Sequence, residues 1–392
     1  MPLKPTPMSF GENSEFPRPM KRKLALIAIP LDRRGGAETI LKLVARALAR
    51  RPDWDVEIGF LGSQAAGEAA GSHQDGIRCS YGFGGGKAMS EFLLAPRLIR
   101  RRYDLVFSSH ARVNSFLAAA RSIGLLRSHR LVARESTVLL DRFKGPRALA
   151  YKALYAAYGS QDMIVAQTSY MNERLRDVLP RRAIAKLCTL PNPVDEDLIV
   201  KMSMEASSGH DAEILSRRPQ IVWCGRLIDV KRPMIAVDVL AEVRRRTGED
   251  YELTMVGSGP MEAELRARAG KLDLASRLNL LGQRDNPFPL FRAARAGMLT
   301  SATEGFPNVL LEMMACRIPG IVTTPCAGDL DMLSGLEISA GFGASEIAEA
   351  LLKVIQGGDR SALYGKTLSE RSPDRFADML LRAPSSYPGG QR

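Results

Sequence analysis

Apolar runs of strand length alternate with amphipathic stretches of helix length from Lys23 onward, and the alternation continues through both halves of the chain. This alternation is typical of parallel β-sheets covered by helices. In the first half the candidate strands are residues 24–29, 56–61, 77–81, 105–108, 131–133, 163–166 and 186–190, with notable helices at 36–50 and 88–102. In the second half the candidate strands are residues 221–224, 252–256, 278–281, 297–300 and 321–323, with helices at 233–247, 260–271, 287–295 and 307–316.

The length of the chain favours two such units. It has 392 residues, of which 45% are hydrophobic and 25% charged, an ordinary globular composition at about twice the length of a typical domain. We predict an α/β fold with two Rossmann-like, doubly wound domains at residues 21–195 and 196–375, after a disordered arm at 1–20 and before a tail at 376–392. Because ligands bind such sheets at the carboxyl ends of the strands, the chemistry is expected in the cleft between the domains.

The composition argues against several classes of protein. No run approaches the roughly 20 consecutive apolar residues that a membrane-spanning helix needs. The five cysteines are widely spaced without a C-x-x-C pair, and the four histidines are scattered, so neither a disulfide framework nor a metal site is indicated. The sequence therefore predicts a cytoplasmic protein that requires no metal ion and no other cofactor.

The net charge of +12 lies entirely in the first half. Residues 1–200 hold 31 Lys and Arg against 19 Asp and Glu, whereas the remainder is balanced. Such asymmetry points to an anionic partner, such as a membrane surface, a nucleic acid or a phosphorylated acceptor, and a generally basic proteome is the alternative explanation. Because the basic residues are dispersed and match no DNA- or RNA-binding module, we predict no nucleic-acid partner.

The strongest motif runs from Glu304 to Glu312, two carboxylates at the ends of a short segment that follows the candidate strand 297–300. A helix that begins near Pro307 places Glu304 in the preceding loop and Glu312 within the helix. The free backbone N–H groups and positive dipole end of that helix suit a diphosphate, and Glu312 can accept hydrogen bonds from ribose hydroxyls. Single glutamates are more often helix caps or solvated charges, but this spacing favours a ligand site. The other predicted donor-binding residues of the segment are Phe306, Asn308 and Val309.

Two cations form the second motif. Arg226 and Lys231 follow the strand 221–224 and the turn at Gly225, and they precede a helix that Pro233 is predicted to start. Cations at the carboxyl end of a strand can neutralise the charge of a departing diphosphate. Solvation at the surface is the alternative for Lys231.

Glycines mark two further junctions between a strand and a helix. Gly35 and Gly36 follow the first strand, and Gly257 follows the strand 252–256. At such positions the backbone can approach a phosphate or a sugar, or simply make a tight turn. Gln283, beyond the next strand, is expected to lie beside the nucleotide base.

Together these segments resemble the retaining glycosyltransferases of family GT4, which have the GT-B fold. The resemblance runs from about residue 24 to residue 355 and is carried by Gly35-Gly36-Ala37-Glu38, Pro191-Asn192-Pro193-Val194-Asp195, Gly225-Arg226 with Lys231-Arg232-Pro233, and the Glu304/Glu312 pair. It implies a nucleotide-sugar donor as substrate, retention of anomeric configuration and no metal. It also implies that Arg226 and Lys231 bind the diphosphate, that Glu312 binds the ribose, and that Glu304 binds the donor sugar.

His110 follows the strand 105–108, where this family often has a histidine that faces the donor sugar. The resemblance therefore implies that His110 binds a sugar hydroxyl or orients the acceptor, and a structural, helix-capping histidine is the alternative. Arg134, Glu135 and Ser136 end the next strand and are predicted to face the acceptor pocket.

The expected function is transfer of a sugar to a hydroxyl of a glycan or lipid-linked acceptor, as in the synthesis of cell-surface polysaccharides. Two alternatives remain: a nucleotide-sugar epimerase on the same scaffold, and a basic nucleic-acid-binding protein.

Peripheral contact with an anionic membrane is a further prediction. Segment 142–158 carries four cations and the tyrosines Tyr151, Tyr155 and Tyr158, a composition that suits an interfacial helix. Such contact would place the protein at the inner face of the cytoplasmic membrane. Because the tyrosines also have the spacing of a buried helix face, burial against the sheet is the alternative.

Overall fold

The computed structural model describes residues 22–30, 35–60, 73–74, 76–81, 101–137, 139, 143, 145–206 and 209–382. The predicted arm at 1–20 and residues 88–100 of the predicted helix 88–102 lie outside these residues.

The first sheet consists of parallel strands, apart from one short antiparallel strand at its edge. Its described strands are β1 Lys23–Ile29, β2 Trp54–Phe60, β3 His73–Gln74, β4 Ile77–Tyr81, β5 Tyr103–Ser109, β6 Ser128–Arg134, β7 Met163–Ala166 and β8 Leu187–Thr189. They lie in the order β3-β4-β2-β1-β5-β6-β7-β8, and only the β3–β4 pair is antiparallel within the described part of the chain.

The second sheet is parallel throughout its described strands. These are β9 Gln220–Cys224, β10 Glu252–Val256, β11 Leu278–Leu280, β12 Ala296–Leu299, β13 Ile321–Thr323 and β14 Leu336–Ile338, in the order β11-β10-β9-β12-β13-β14. The predicted α/β fold with a parallel sheet in each half is confirmed. Strands β3 and β14 were not predicted, because β3 consists of two polar residues and β14 has a charged glutamate, Glu337, between its two apolar residues.

Helices cover these sheets and connect their strands. In chain order they are α1 Gly36–Ala49, α2 Ala111–Ser122, α3 Pro146–Ala156, α4 Ser169–Arg176, α5 Arg181–Ile184, α6 Glu196–Ser203, α7 Gly209–Arg217, α8 Pro233–Thr247, α9 Glu262–Lys271, α10 Phe288–Ala293, α11 Asn308–Ala315, α12 Ala344–Gln356, α13 Tyr364–Ser369 and α14 Pro373–Leu381. The long amphipathic helices bury one face each: α1 packs Leu41, Val44 and Leu48 into the first core, and α12 packs Ile347, Leu351 and Val354 into the second. Each such side chain contributes about 1.5–3 kcal/mol of burial free energy.

The chain crosses between the two sheets twice. Residues 190–195 lead from β8 to α6, and the segment before α14 leads back, where the backbone N–H of Val194 donates to the carbonyl of Arg371 at 2.8 Å. Helix α14 then packs Phe376, Ala377 and Leu380 into the core of the first sheet. The prediction of a tail from residue 376 is therefore wrong for residues 376–381, because their apolar face completes the other domain's core.

The segment predicted to touch a membrane is partly buried. Tyr155 and Tyr158 are buried to 1% and 0% exposure and lie edge to face against each other, which confirms the burial alternative for these two rings. Tyr151 is half-buried and stacks on Phe143, whereas Leu149 is 69% exposed. Within the described residues, every helix is too short or too polar to cross a membrane.

Candidate functional site

Each sheet has one point where the strand order reverses, and ligands in doubly wound sheets bind there. In the first sheet β1 and β5 lie side by side at this point, and in the second sheet β9 and β12 do so. The segments that leave these four strands carry most of the residues predicted from sequence.

At the reversal point of the second sheet, Lys231 follows β9 and Glu304 follows β12. The Lys231 ammonium and the Glu304 carboxylate form an ion pair, with side chains 20% and 14% exposed. Ser301 Oγ donates a second hydrogen bond to Glu304 Oε1 at 2.7 Å. The sequence assigned Lys231 and Glu304 to different parts of the donor, and the structure brings them into direct contact. Serine 301 was not singled out from the sequence, since a lone serine at a strand end carries no distinctive signal.

The loop after β9 is held in an unusual conformation. Arg232 has φ 48° and ψ 51°, in the left-handed region, directly before Pro233 at the start of α8. This region is unfavourable for a residue with a side chain, and more so before proline. Thr300 Oγ1 donates toward the carbonyls of both Lys231 and Arg232, at 3.0 Å each, and so fixes the loop from the neighbouring strand.

Arg226, the other predicted cation, is exposed, and its guanidinium has no hydrogen-bond or ion-pair partner among the described residues. It lies one residue beyond Gly225, whose backbone N–H donates to Val256 O at 3.0 Å. A guanidinium in the loop that also carries Lys231 is available for an anionic ligand.

Close packing of the loops that follow β9 and β10 requires a glycine at position 257. Its φ is 135°, and a Cβ there would lie 1.9 Å from the carbonyl oxygen of Gly225. Its N–H donates to Gly282 O at 2.8 Å, and Gln283 follows with an exposed side chain. The glycine therefore brings three strand ends together, and this requirement is satisfied without any ligand.

The segment between the two glutamates ends in helix α11. Phe306 is buried under the guanidinium of Arg371, which lies 5.0 Å from the ring centroid, and Val309 packs against the second core. Helix α11 begins at Asn308, one residue after the predicted start near Pro307, and its first N–H groups lack intrahelical partners. The Glu312 carboxyl makes no hydrogen bond with the described residues, and burial raises its pKa to about 7.

At the reversal point of the first sheet, His110 follows β5 and Glu38 lies in the first turn of α1 after β1. His110 Nε2 lies 3.6 Å from Glu38 Oε1, and Nδ1 contacts the carbonyl of Ser109, which fixes the proton on Nδ1 in the neutral ring. Burial lowers the pKa of the His110 imidazole, while the Glu38 carboxylate acts in the opposite direction. His110 has φ 93°, a strained backbone for a non-glycine residue and a frequent mark of functional sites.

The two reversal points face each other across the cleft. Asn308 Nδ2 donates to the carbonyl of Gly36 at 3.2 Å, so the start of α11 touches the start of α1. A Cβ on Gly305 would lie 2.3 Å from the carbonyl oxygen of Ser136. The predicted donor and acceptor sides are therefore in contact at both ends of the loop 305–308.

The prediction that Arg134 and Glu135 face the acceptor pocket is wrong, because both are only 1% exposed. Glu135 accepts hydrogen bonds from the hydroxyls of Tyr155 and Tyr158 and from Asn114, and burial raises the pKa of its carboxyl. The sequence did not predict the contact of Glu38 with His110 or the burial of Arg134. Among the described residues, no group of His, Cys, Asp and Glu is arranged to hold a metal ion.

Comparison with known proteins decides the family. Residues 34–198 match the family described as Glycosyltransferase Family 4, and residues 218–357 match the family described as Glycosyl transferases group 1. The chain belongs to the GT4 glycosyltransferases. The first match covers β2 to β8 of the first sheet and the second match covers the whole second sheet, so the predicted family and the predicted class of enzyme are confirmed.

Individual relatives agree with this assignment. The chain is 28% identical over 173 residues to an N-acetylgalactosaminyltransferase of Campylobacter jejuni named for a diacetylbacillosaminyl-diphospho-undecaprenol substrate, with 44% of each chain covered. It is 29% identical over 150 residues to a lipopolysaccharide 1,6-galactosyltransferase of Salmonella typhimurium, with 36% of this chain and 41% of the relative covered. The aligned regions span less than half the length of the curated relatives.

Solved structures confirm the GT-B fold. HepE of Anabaena, solved with UDP-glucose, superimposes with a TM-score of 0.73 at 18% identity, covering 93% of this chain and all of HepE. The lipopolysaccharide outer core galactosyltransferase WaaB gives 0.69 at 18% identity, covering 93% and 99%. Because these families and relatives are glycosyltransferases, they support neither the epimerase nor the nucleic-acid-binding alternative.

Proposed function

We propose that this GT4 protein transfers a sugar, with retention of anomeric configuration, from a nucleoside diphosphate sugar to a hydroxyl of a lipid-linked glycan. The observation that carries the proposal is the set of side chains that follow β9 and β12: the exposed Arg226 guanidinium, the Lys231–Glu304 pair, and the Glu312 carboxyl, which has no hydrogen-bond partner among the described residues. They lie at the carboxyl end of one sheet, where such ligands bind.

In the proposed complex, each part of the donor binds a different one of these side chains. The diphosphate binds Arg226, Lys231 and the first N–H groups of α11, and its ribose hydroxyls donate to Glu312. Glu304, held by Ser301, then accepts hydrogen bonds from the donor sugar. The nucleotide is surrounded by the backbone of Gly36, Gly225 and Gly257 and by Gln283. Phe306 and Val309 pack beneath the loop 305–308.

In the reaction the acceptor oxygen bonds to the anomeric carbon on the face that the nucleotide leaves, while the bond from that carbon to the phosphate oxygen breaks. The proton of the acceptor hydroxyl passes to the departing diphosphate, so no protein base is consumed or regenerated. The protein contributes orientation, charge neutralisation and exclusion of water. His110 and Glu38, across the cleft, bind a hydroxyl of the reacting sugars.

The donor is identified by a thermal-shift panel of nucleoside diphosphate sugars on the purified protein. UDP sugars are the first candidates because HepE, which shares the fold, binds UDP-glucose. A rise in melting temperature with one nucleotide sugar, absent in the Arg226→Ala variant, supports the proposal. Absence of stabilisation by any nucleotide sugar or free nucleoside diphosphate contradicts it.

We also propose that transfer needs no metal ion, because Arg226, Lys231 and the helix N-terminus supply the positive charge that a bound cation otherwise provides. Transfer rates in excess EDTA should equal those in magnesium or manganese. A loss of activity in EDTA that a divalent cation restores would show that the protein's own cations do not suffice.

A lipid-linked acceptor is favoured by two observations. The Campylobacter relative is named for an undecaprenol-linked substrate, and the first half of this chain carries the whole net charge of +12. We propose that this half rests on the anionic inner face of the cytoplasmic membrane through the exposed side of α3, where Arg147, Leu149 and Lys152 lie. Each basic residue there contributes about 1 kcal/mol.

Sedimentation with lipid vesicles tests the contact. The protein should pellet with vesicles rich in anionic lipid at low salt, and less at high salt. The Arg147→Glu/Leu149→Glu/Lys152→Glu variant should remain in the supernatant with an unchanged melting temperature, since these side chains are exposed. Equal recovery on neutral and anionic vesicles removes the membrane proposal and leaves the transferase proposal intact.

A further inference from the structure

A buried amide at the crossover between the domains connects them directly. Asn192 is 0% exposed, and its Nδ2 donates at 2.7 Å both to Gln167 Oε1 in the first domain and to Asn308 Oδ1 in the second. Its Oδ1 accepts from Arg134 Nη2 at 2.6 Å. Asn308 in turn donates to Gly36 O. A continuous chain of hydrogen bonds therefore runs from the first sheet through the crossover to the donor helix and back.

Arg134, at the far end of this chain, is a buried cation in an unusual setting. Its Nη1 donates to Ser109 Oγ at 3.1 Å, but its Nε has no partner and no carboxylate lies within ion-pair distance, among the described residues. Burial lowers the pKa of the Arg134 guanidinium to about 9. Buried arginines are normally paired with a carboxylate. Here the position that would supply one holds an amide.

Aspartate at position 192 would offer Arg134 a carboxylate oxygen where Asn192 Oδ1 now lies. It would, however, have no N–H group for Gln167 and Asn308, and would place a negative charge against both of their oxygens. The amide is therefore explained by the link between the domains and not by the needs of Arg134.

The position of Asn192 in the chain matches this role. It lies between β8 and α6, on the first crossover, and Arg371 on the returning crossover donates to its carbonyl at 3.4 Å. The same Arg371 guanidinium covers the ring of Phe306 in the donor loop. Arg371, on the returning crossover, thus contacts both the first crossover at Asn192 and the loop 305–308 at Phe306.

We propose that Asn192 is a positioning residue that holds the two domains in the closed arrangement required for sugar transfer. It does not touch the reacting atoms. It acts through Asn308, whose helix carries Glu312 and whose preceding loop carries Glu304, and it thereby fixes that loop relative to His110 and Glu38. The effect on turnover rests on the proposed function, whereas the effect on domain closure does not.

The deciding variant is Asn192→Asp in the full chain. We expect its melting temperature to equal or exceed that of the wild type, because Arg134 gains a carboxylate. Turnover should fall about tenfold or more, since small misplacements of reacting groups have large effects on rate. Affinity for UDP alone should stay within about twofold, because the nucleotide binds the second domain. Small-angle X-ray scattering should give a larger radius of gyration than the wild type.

Asn172→Asp is the matched control. Asn172 Oδ1 accepts from Arg176 Nε at 3.0 Å and its Nδ2 donates to Thr189 Oγ1 at 3.1 Å, all within the first domain. The same chemical change there leaves the link between the domains intact, so turnover and radius should match the wild type.

Asn308→Asp tests the link from the opposite side and decides the matter if Asn192→Asp does not fold. It places a carboxylate against the carbonyl of Gly36, and turnover should fall while the radius rises. Wild-type turnover and radius in a folded variant, or a loss of turnover that only parallels a loss of melting temperature, overturns the proposal. Failure of the proposed function looks different: the wild type itself transfers no sugar, and the scattering measurement still reports on closure.

Discussion

The two sheets place an acid and a base at the same topological position but in different electrostatic states. In the second sheet Lys231 and Glu304 are in contact, and a serine hydroxyl further holds the carboxylate. In the first sheet His110 and Glu38 are 3.6 Å apart, and burial lowers the pKa of the imidazole. The first is an ion pair of an ammonium and a carboxylate, whereas the second contains an imidazole whose pKa lies below its ordinary value.

This difference matches what each side of the cleft has to bind. A diphosphate carries negative charge and binds cations, whereas a sugar hydroxyl both donates and accepts hydrogen bonds and can bind an imidazole and a carboxylate. The same architecture therefore supplies a lysine and a glutamate on the donor side and an imidazole beside a carboxylate on the other. Variants of each pair should affect the reaction in different ways.

The largest effect is expected on the donor side. Arg226→Ala or Lys231→Ala should lower turnover by about two orders of magnitude or more, because one lost charge-assisted donor removes about 2.7–4 kcal/mol of transition-state stabilisation. Lys353→Ala is the control, since Lys353 pairs with Glu337 on the surface of the same domain. Steady-state transfer assays measure the effect. Rates within about threefold of wild type in both variants would remove these cations from the mechanism.

Next in size is the separation of the two glutamates. Glu304→Gln should reduce transfer about tenfold more than it reduces affinity for free nucleoside diphosphate, because its partner is the donor sugar. Glu312→Gln should weaken nucleotide binding itself by about tenfold, the loss expected for a charged hydrogen bond. Isothermal titration with UDP, beside transfer rates, distinguishes them. Equal losses of binding and melting temperature in both variants would indicate a structural role.

A smaller effect is expected in the first sheet, where it appears in the pH profile. The Glu38 carboxylate raises the pKa of His110, so Glu38→Gln should lower that pKa further. The neutral ring then persists to lower pH, and the acidic limb of the kcat/KM profile should move toward acid. Glu196→Gln, which alters an ion pair with Arg317 in the second domain, is the control. An unshifted limb would show that Glu38 and His110 do not titrate together.

The smallest effect concerns stability. Burial raises the pKa of Glu312 from 4.5 to about 7, so the folded protein holds a proton that the unfolded chain releases between these values. The resulting stabilisation is complete below pH 4.5 and is lost as pH rises through about 7. Melting temperatures of Glu312→Gln relative to wild type should therefore rise across this interval and level off above it. A constant difference from pH 4.5 to 8 would mean that Glu312 is not desolvated.

Local sequence patterns were sufficient to predict most of the strands and the charged residues that follow them. The parallel strands were found because each is an apolar run, and their carboxyl ends lie a few residues from Arg226, Lys231 and Glu304. Chemistry at a strand end is thus readable within one short segment. The start of α11 was likewise predicted to within one residue, since the expected start near Pro307 lies directly before Asn308.

Tertiary structure decided which of these segments meet. Glu38 stood in a recognised motif but had no partner until the strand order placed β1 beside β5. Arg134 and Glu135 resembled cleft residues because a strand end looks the same in sequence whether helices cover it or not. Here Tyr155 in α3 and Tyr158, just after that helix, donate hydrogen bonds to Glu135. Helix α14 has an apolar face like any surface helix, and only the second crossover determines which core receives it.

The sequence by itself determined the two α/β units, the family and the donor-side cations, because these depend on apolar period and on residues close together in the chain. The contact of Asn192 with Asn308, 116 residues apart, depended on the relative placement of two domains. Side-chain amides are short, uncharged and common in turns, so the motif that contains Asn192 does not reveal which distant residue its amide meets. Only the packed structure, where every buried polar group needs a partner, identifies it.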